Sequence, residues 1–281
     1  AARAWVEPTM QALANSNVIF DMGPWGSDPV AIAGASTETV MLDCPECRAE
    51  YKKNKTVFLG GFGTTAFKMI CSKPITSIAQ MKGVKTRAVG SAARWVKAIG
   101  GIPVAMSPVD GVTAMQRGAL TCLHGPVPWL VSYGYMDVAK SIINFPMGTP
   151  RGLSLMAMNR KSWDSLSVAQ KKVMFKHLPG ASARATVIGY MAADIEILAQ
   201  AKKRGITIVP GGPEIGVLMA AHKKSELTAI PKGLKKVKVK EATAKRIMAA
   251  FIKNLKKWEG LAATAGGDVG KVAALFKSQI Y

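Results

Sequence analysis

Few residues in this chain have the type and spacing to do chemistry. Cys44-Pro45-Glu46-Cys47 is the one close cysteine pair. A zinc site would want a second such pair, and Cys71 and Cys122 stand alone in the sequence. A thioredoxin-type motif would open a helix straight after a strand, which Leu42-Asp43 barely supplies. The pair therefore reads as a local disulfide of an oxidising compartment, as inert thiols, or as a reactive site. Gly60-Gly61-Phe62-Gly63-Thr64-Thr65 lacks the Gly-Lys-Ser/Thr ending of a phosphate loop and is expected to be a flexible connection. The three histidines (His124, His177, His222) are scattered. No nucleophile elbow, HExxH or nucleotide fingerprint accompanies them, so no catalytic residue, metal site or cofactor is assigned. Arg87 is different. It ends a short alternating run, and its planar fork stays charged and matches a carboxylate bidentately.

The elements around Arg87 explain why it matters. Met81-Lys82-Gly83 reads as a helix end closed by glycine, and Val84–Val89 alternates like a half-buried strand. Ala92, Trp95, Val96 and Ile99 share one helical face, which Gly100-Gly101 stops. Ile102–Met106 is the next strand, Val109–Arg117 the next helix, and Ala119–Leu123 a third strand. This βαβαβ pattern predicts an α/β fold with a parallel sheet covered by helices. Ligands bind such sheets at the carboxyl ends of the strands, where Arg87, His124 and Gly125 fall.

The flanks are read the same way. Residues 1–14 are expected to be helical (Trp5, Met10, Leu13), Asn17–Met22 and Thr39–Leu42 extended, Glu46–Asn54 helical and Thr56–Leu59 a strand. Trp25 follows in a loop after the first of these, where it would line a cleft or pack on its own lobe. His124 is either a satisfied loop histidine or a ligand contact. Trp129 and Tyr133 form either an aromatic wall or helix packing. Leu153–Met158 is a buried strand, Ser167 and Gln170 make a capping box, and a helix runs from about Ala181 to Lys203. Ile206–Val209 is a strand, and Glu214–Leu227 and Glu241–Ala262 are helices, with His177 and His222 placed on surface helices.

The stretch Lys73-Pro74-Ile75-Thr76-Ser77-Ile78-Ala79-Gln80-Met81-Lys82-Gly83-Val84-Lys85-Thr86-Arg87 resembles the "KPI-x-S-L-x-D-L-K-G-x-K-x-R" segment of the solute-binding proteins of TRAP (tripartite ATP-independent periplasmic) transporters, the DctP-like C4-dicarboxylate-binding family. Gly100–Val104, Ala114–Gly118, Met158–Trp163, Lys257-Trp258 and Ile280-Tyr281 continue the similarity, from roughly Asp43 to the end. The resemblance implies a two-lobed periplasmic binding fold, each lobe a mixed or mostly parallel sheet flanked by helices. Lobe I is expected from 1–66 plus 152–205, with its N-terminal part incomplete or divergent, and lobe II from 67–151 plus 206–281. It also implies a monomer that is not an enzyme. Such a protein captures a small organic acid between its lobes, closes by a hinge and delivers the acid to membrane permease subunits. Its place is the periplasm, its leader being absent from this chain.

The resemblance places Arg87 on the arginine that clamps the ligand carboxylate. The departures lie around it. Thr121-Cys122 replaces an Asp-Gly, a family asparagine falls at Gly125, and Phe67 and Lys68 stand where a second arginine is common. Arg151 is an additional polar candidate. The expected substrate-binding set is thus Arg87, Trp129, Arg151, Phe67, Lys68, His124, Gly125 and Trp25.

Composition sets the rival readings. The chain has 281 residues, 49% hydrophobic, which suits a packed α/β protein and leaves no apolar run long enough to span a bilayer. Thirty-eight Lys and Arg against seventeen Asp and Glu give a net charge of +21. Fifteen of the basic residues fall between Lys202 and Lys257, against three acidic ones. That excess invites a nucleic-acid-binding reading, but no RNA-recognition strand, zinc finger or basic zipper accompanies it. A solvated set of helix faces and loops is the favoured explanation, and no nucleic-acid partner is expected. A hydrolase or redox enzyme using Cys44, Cys47 or His124 is the other rival.

Overall fold

The structure, a computed structural model, describes residues 11–281, with the side chains of 11 and 151–156 outside the description. The helix expected over 1–14 lies mostly outside the described residues. Helix α1 (Ala14–Asp21) occupies the run expected to be a strand. Val18, Ile19 and Phe20 are buried on every side, and a short apolar run of this kind is ambiguous between a buried strand and a buried helix. Helix α2 (Pro29–Glu38) was not legible as an element. All ten of its residues are buried, so it has no polar face to give a helical period. Asp28 caps it by accepting the Ala31 N–H at 2.7 Å, with Pro29 at the first helical position. A π-helical turn (Thr39–Asp43) replaces the extended piece expected there, and α3 (Pro45–Lys53) follows.

Strand β1 (Thr56–Gly63) runs on through the glycines expected to be a loop. It pairs antiparallel with β7 (Arg151–Asn159). Gly63 lets this strand lie against α2, since a Cβ there would stand 1.9 Å from the Pro29 carbonyl oxygen. The register slips at Gly60 and again before Phe62, which bends the ribbon.

A six-stranded sheet holds the centre of the chain. It comprises β2 (Lys68–Cys71), β3 (Lys85–Arg87), β4 (Ile102–Val104), β5 (Cys122–Gly125), β6 (Ser141–Ile143) and β8 (Thr207–Val209), in the order β4-β3-β5-β2-β6-β8. β3 is parallel to both β4 and β5, as the βαβαβ pattern predicts, with α4 (Gly90–Ala98) and α5 (Pro108–Gln116) as the crossovers. β2 is antiparallel to β5 and β6. Alternate residues feed opposite faces: Ile70, Leu123 and Ile142 pack in one core cluster, and Met69, Cys71, Cys122 and Ile143 in another. Disulfides join Cys44 to Cys47 and Cys71 to Cys122. The second pair, solitary in sequence, sits directly across the β2–β5 ladder.

After the short α6 (Trp129–Ser132), the chain continues through α7 (Arg160–Asp164) and α8 (Val168–Thr186). A π-helical segment, Val187–Ala192, joins α8 to α9 (Ala193–Lys203). The capping box at Ser167 and Gln170 is formed at the start of α8. Helices α10 (Pro213–Leu234), α11 (Glu241–Ala265) and α12 (Val269–Gln279) complete the fold.

A third core cluster unites α1, α2 and α3 with Phe251, Leu255, Trp258, Val272 and Phe276. The expectation that 206–281 go with the second lobe therefore fails for α11 and α12, which pack on the N-terminal helices. The contact is intimate: a Cβ on Gly34 would lie 2.1 Å from the Trp258 ring, and the Trp258 indole N–H donates to Glu38 at 2.6 Å. The architecture is a two-lobed α/β fold. Among the described residues its first lobe is mainly helical around the β1–β7 ribbon, and its second is the six-stranded sheet.

Candidate functional site

Arg87 ends β3 and is 2% exposed. Its Nε–H donates to the Met106 carbonyl at 2.8 Å, which fixes the plane of the guanidinium. The Trp129 ring centroid lies 5.7 Å from its Cζ, a distance at which an indole face stabilises a cation. Trp129 in turn meets Phe67 edge-on at 5.3 Å and Tyr133 edge-on at 5.3 Å. Gly125 makes this arrangement possible, because a Cβ there would stand 2.7 Å from Cε3 of Trp129.

His124, the next-to-last residue of β5, completes the polar part of the site. It is 1% exposed and meets Phe67 edge-on at 5.3 Å. Neither ring nitrogen has a well-formed hydrogen bond among the described residues, and one of them is drawn to the Met147 backbone. Burial pushes its pKa down to about 3; the Met147 backbone offsets this in part, and the Arg87 cation adds to it. The imidazole is therefore neutral at physiological pH.

These groups line a narrow cleft of about 30 Å³. The far wall comes from the first lobe, where Phe20 and Asp21 end α1 and Gly23-Pro24 follow. Val89, Ser91, His222, Met147, Gly148 and Pro150 also line it. Among the described lining residues Arg87 is the only lysine or arginine. Asp21, the one carboxylate, is already engaged. It accepts the Ser91 backbone N–H at 3.2 Å and a guanidinium N–H of Arg94 at 2.9 Å. Arg94 also holds Glu226 of α10 through Nε at 2.7 Å. Burial raises the Asp21 pKa against the pull of Arg94, and burial lowers that of His222 against the pull of Glu226.

The structure thus brings together Arg87, Phe67, His124 and Trp129, with Gly125 behind the indole. Lys68 and Trp25 are elsewhere. Lys68 is half-buried near Asp194, whose carboxylate accepts the Thr65 hydroxyl at 2.6 Å. Trp25 packs against the first lobe's core with Lys223 over its ring at 5.9 Å. The Arg151 side chain lies outside the described residues. Sequence reasoning missed Asp21, Ser91 and His222. Asp21 fell in the misread helix, and His222 was placed on a surface helix although it is 5% exposed. Ser91, just past a predicted strand end, was the one with a positional signal.

Among the described residues no helix is long and apolar enough to cross a membrane, and no group of three or more His, Cys, Asp and Glu is placed to hold a metal ion. The profile of the family described as "Bacterial extracellular solute-binding protein, family 7" matches residues 39–227. No curated protein matches the chain. Several solved structures share the fold. One is a marine metagenome TRAP solute-binding protein specific for aromatic acid ligands, in complex with 3-hydroxybenzoate (TM-score 0.76, 18% identity, 91% of this chain and 78% of that one). Another, from Rhodoferax ferrireducens, carries copurified benzoate (0.74, 18%, 92% and 80%). A third, from Bordetella bronchiseptica, holds (R)- and (S)-mandelate (0.69, 18%, 91% and 78%).

Proposed function

The chain belongs to the bacterial extracellular solute-binding proteins of family 7, and on that premise we propose that it is the periplasmic receptor of a TRAP transporter, capturing a small organic acid between its lobes. The observation that carries this is Arg87: a buried, fixed guanidinium at a strand's carboxyl end, backed by Trp129, in the cleft between two separate cores. The ligand carboxylate would take the fork, and Phe67, Trp129 and Phe20 would cover an apolar body. With one cation on the described lining and a neutral histidine beside it, the cleft suits one carboxylate better than two. The similar folds that hold benzoate, 3-hydroxybenzoate and mandelate support an acid of this kind.

Closure would use the segments that pass between the cores. The rod α8–α9 is one: Ala183 and Val187 pack in the first lobe, and Ile197 and Ala201 in the second. The π-helical segment lies at that passage, where a looser hydrogen-bond ladder concentrates bending. The other crossings are β1 to β2 and β6 to β7. The division we propose assigns 11–63, the β7 ribbon and α11–α12 to lobe I. It assigns the six-stranded sheet to lobe II, with α8–α9 and α10 spanning both. The closed, loaded form would be passed as a monomer to the membrane permease subunits.

A thermal-shift screen of carboxylates at moderate salt tests the reading on wild type and Arg87→Ala. An acid at a hundred times its dissociation constant adds about 2.7 kcal/mol of stability. We expect at least one acid to raise the wild-type melt and the variant to lose the response. A melt raised by oligonucleotides and by no acid would overturn it in favour of nucleic-acid binding.

A further inference from the structure

A buried imidazole nitrogen without a well-formed hydrogen bond is costly unless something meets it. His124 lines the cleft beside Arg87, and with one nitrogen drawn to the Met147 backbone the other is such a group. We propose that His124 reads a hydroxyl on the ligand, so that the cargo is a hydroxylated monocarboxylate with an apolar or aromatic body. This rests on the carboxylate reading of Arg87 and goes beyond it.

The chemistry of the ring selects the group. A neutral imidazole offers one N–H donor and one lone-pair acceptor. A hydroxyl both donates and accepts, so it satisfies the nitrogen that Met147 leaves over in either tautomer. A ligand ammonium could only donate and would stand close to the Arg87 cation. A second carboxylate could only accept and would place a second anion where the described lining has one cation, already assigned to the first. An alkyl or unsubstituted aryl group would leave the nitrogen unpaired. Sites built to hydrogen-bond a ligand hydroxyl discriminate against the analogue lacking it, because their own buried group is then orphaned.

The walls agree with the remainder of the class. Phe67 meets both His124 and Trp129 edge-on at 5.3 Å, which places aromatic surface between the proposed hydroxyl reader and the backing of the carboxylate clamp. A ligand that reaches from Arg87 to His124 passes along that surface.

Isothermal titration of two matched pairs tests this: mandelate against phenylacetate, and 3-hydroxybenzoate against benzoate. Each is measured on wild type, His124→Phe, His124→Asn and Arg87→Ala. We expect the hydroxylated member of at least one pair to bind the wild type about tenfold more tightly. In His124→Phe that ratio should fall to within about twofold, while the unsubstituted acid still binds. His124→Asn, which keeps a donor and an acceptor, should retain part of the preference. If the wild type binds both members of each pair equally through Arg87, or His124→Phe keeps the preference, the proposal is overturned and the carboxylate reading survives. If no acid of either pair binds at all, the proposal falls, and the carboxylate reading is decided by the wider carboxylate screen. Should His124→Phe fail to fold, His124→Asn and the wild-type ratios decide: a wild type indifferent to the hydroxyl overturns the proposal.

Discussion

Gly125 and Trp129 are packed so closely that any side chain at 125 would enter the indole, with a Cβ 2.7 Å from Cε3. The same hypothetical Cβ would stand 3.2 Å from a Leu123 methyl. Retreat is limited, because the indole is hemmed by Phe67 and Tyr133. Overpacking of this kind typically costs about 1–3 kcal/mol. Gly125→Ala is expected to lower the melting temperature by several degrees. It should also weaken acid binding, since the indole that backs Arg87 is displaced. A variant that melts and binds like wild type would show that Trp129 is free to move.

The disulfide between Cys71 and Cys122 closes a sequence separation of 51 residues across the ladder that ends at Lys68 and Gly125. Loop-closure entropy assigns such a crosslink up to about 4 kcal/mol. Cys44–Cys47 closes only a turn at the start of α3. Denaturant melts of the two double-serine variants should therefore differ. Cys71→Ser with Cys122→Ser should lose about 2–4 kcal/mol, and the Cys44 and Cys47 pair clearly less. Equal losses would contradict the entropic account.

Acid should destabilise the protein partly through His124. Its folded pKa, about 3, lies below the 6.5 of an exposed histidine. Between those values the unfolded chain binds the extra proton and the native state does not. Stability from this group is thus complete above pH 6.5 and is lost as pH falls toward 3. His222 is lowered in the same direction, whereas Asp21 and Asp194, raised by burial, act oppositely. A difference measurement isolates the histidine. The stability gap between wild type and His124→Phe should shift by on the order of 3 kcal/mol between pH 7.5 and 4. A gap that is flat across that range would mean His124 titrates in the native state as it does unfolded.

Much of the second lobe was legible because its signals are local. The glycine at 83 that takes positive φ, the alternation to Arg87, and the stops at 100 and 118 are each set within a few residues. Arg87, His124 and Trp129 could be named because parallel strands put their carboxyl ends together. The first lobe was harder. α1 and α2 are buried all round, so neither carries the amphipathic period that marks a helix. Trp258 and Phe276 belong with α2 through contacts made more than 200 residues apart, which no local pattern encodes. Cys71 and Cys122 meet only because β2 turns antiparallel to β5. His222 looked superficial for a similar reason: its burial comes from Ser91 and Trp95 of α4, not from its own helix.

Arg94 ties the lobes together beside the cleft, and its removal should be felt in both stability and binding. It sits on α4 and holds Asp21 of α1 and Glu226 of α10, which are 5% and 1% exposed at the side chain. Arg94→Met would leave two buried carboxylates without their cation. Breaking one side of a buried pair usually costs about 3–5 kcal/mol, and the one-third exposure of Arg94 argues for the lower end. If the loss comes from the stranded charges, Arg94→Met combined with Glu226→Gln should recover part of it. Asp21 also accepts the Ser91 N–H at the start of α4, so the cleft wall should loosen in the single variant, with weaker acid binding than Arg87 alone dictates. Thermal melts and titrations of the single and double variants check this. A double variant less stable than the single one would show that the geometry of the network, and not unpaired charge, sets the cost.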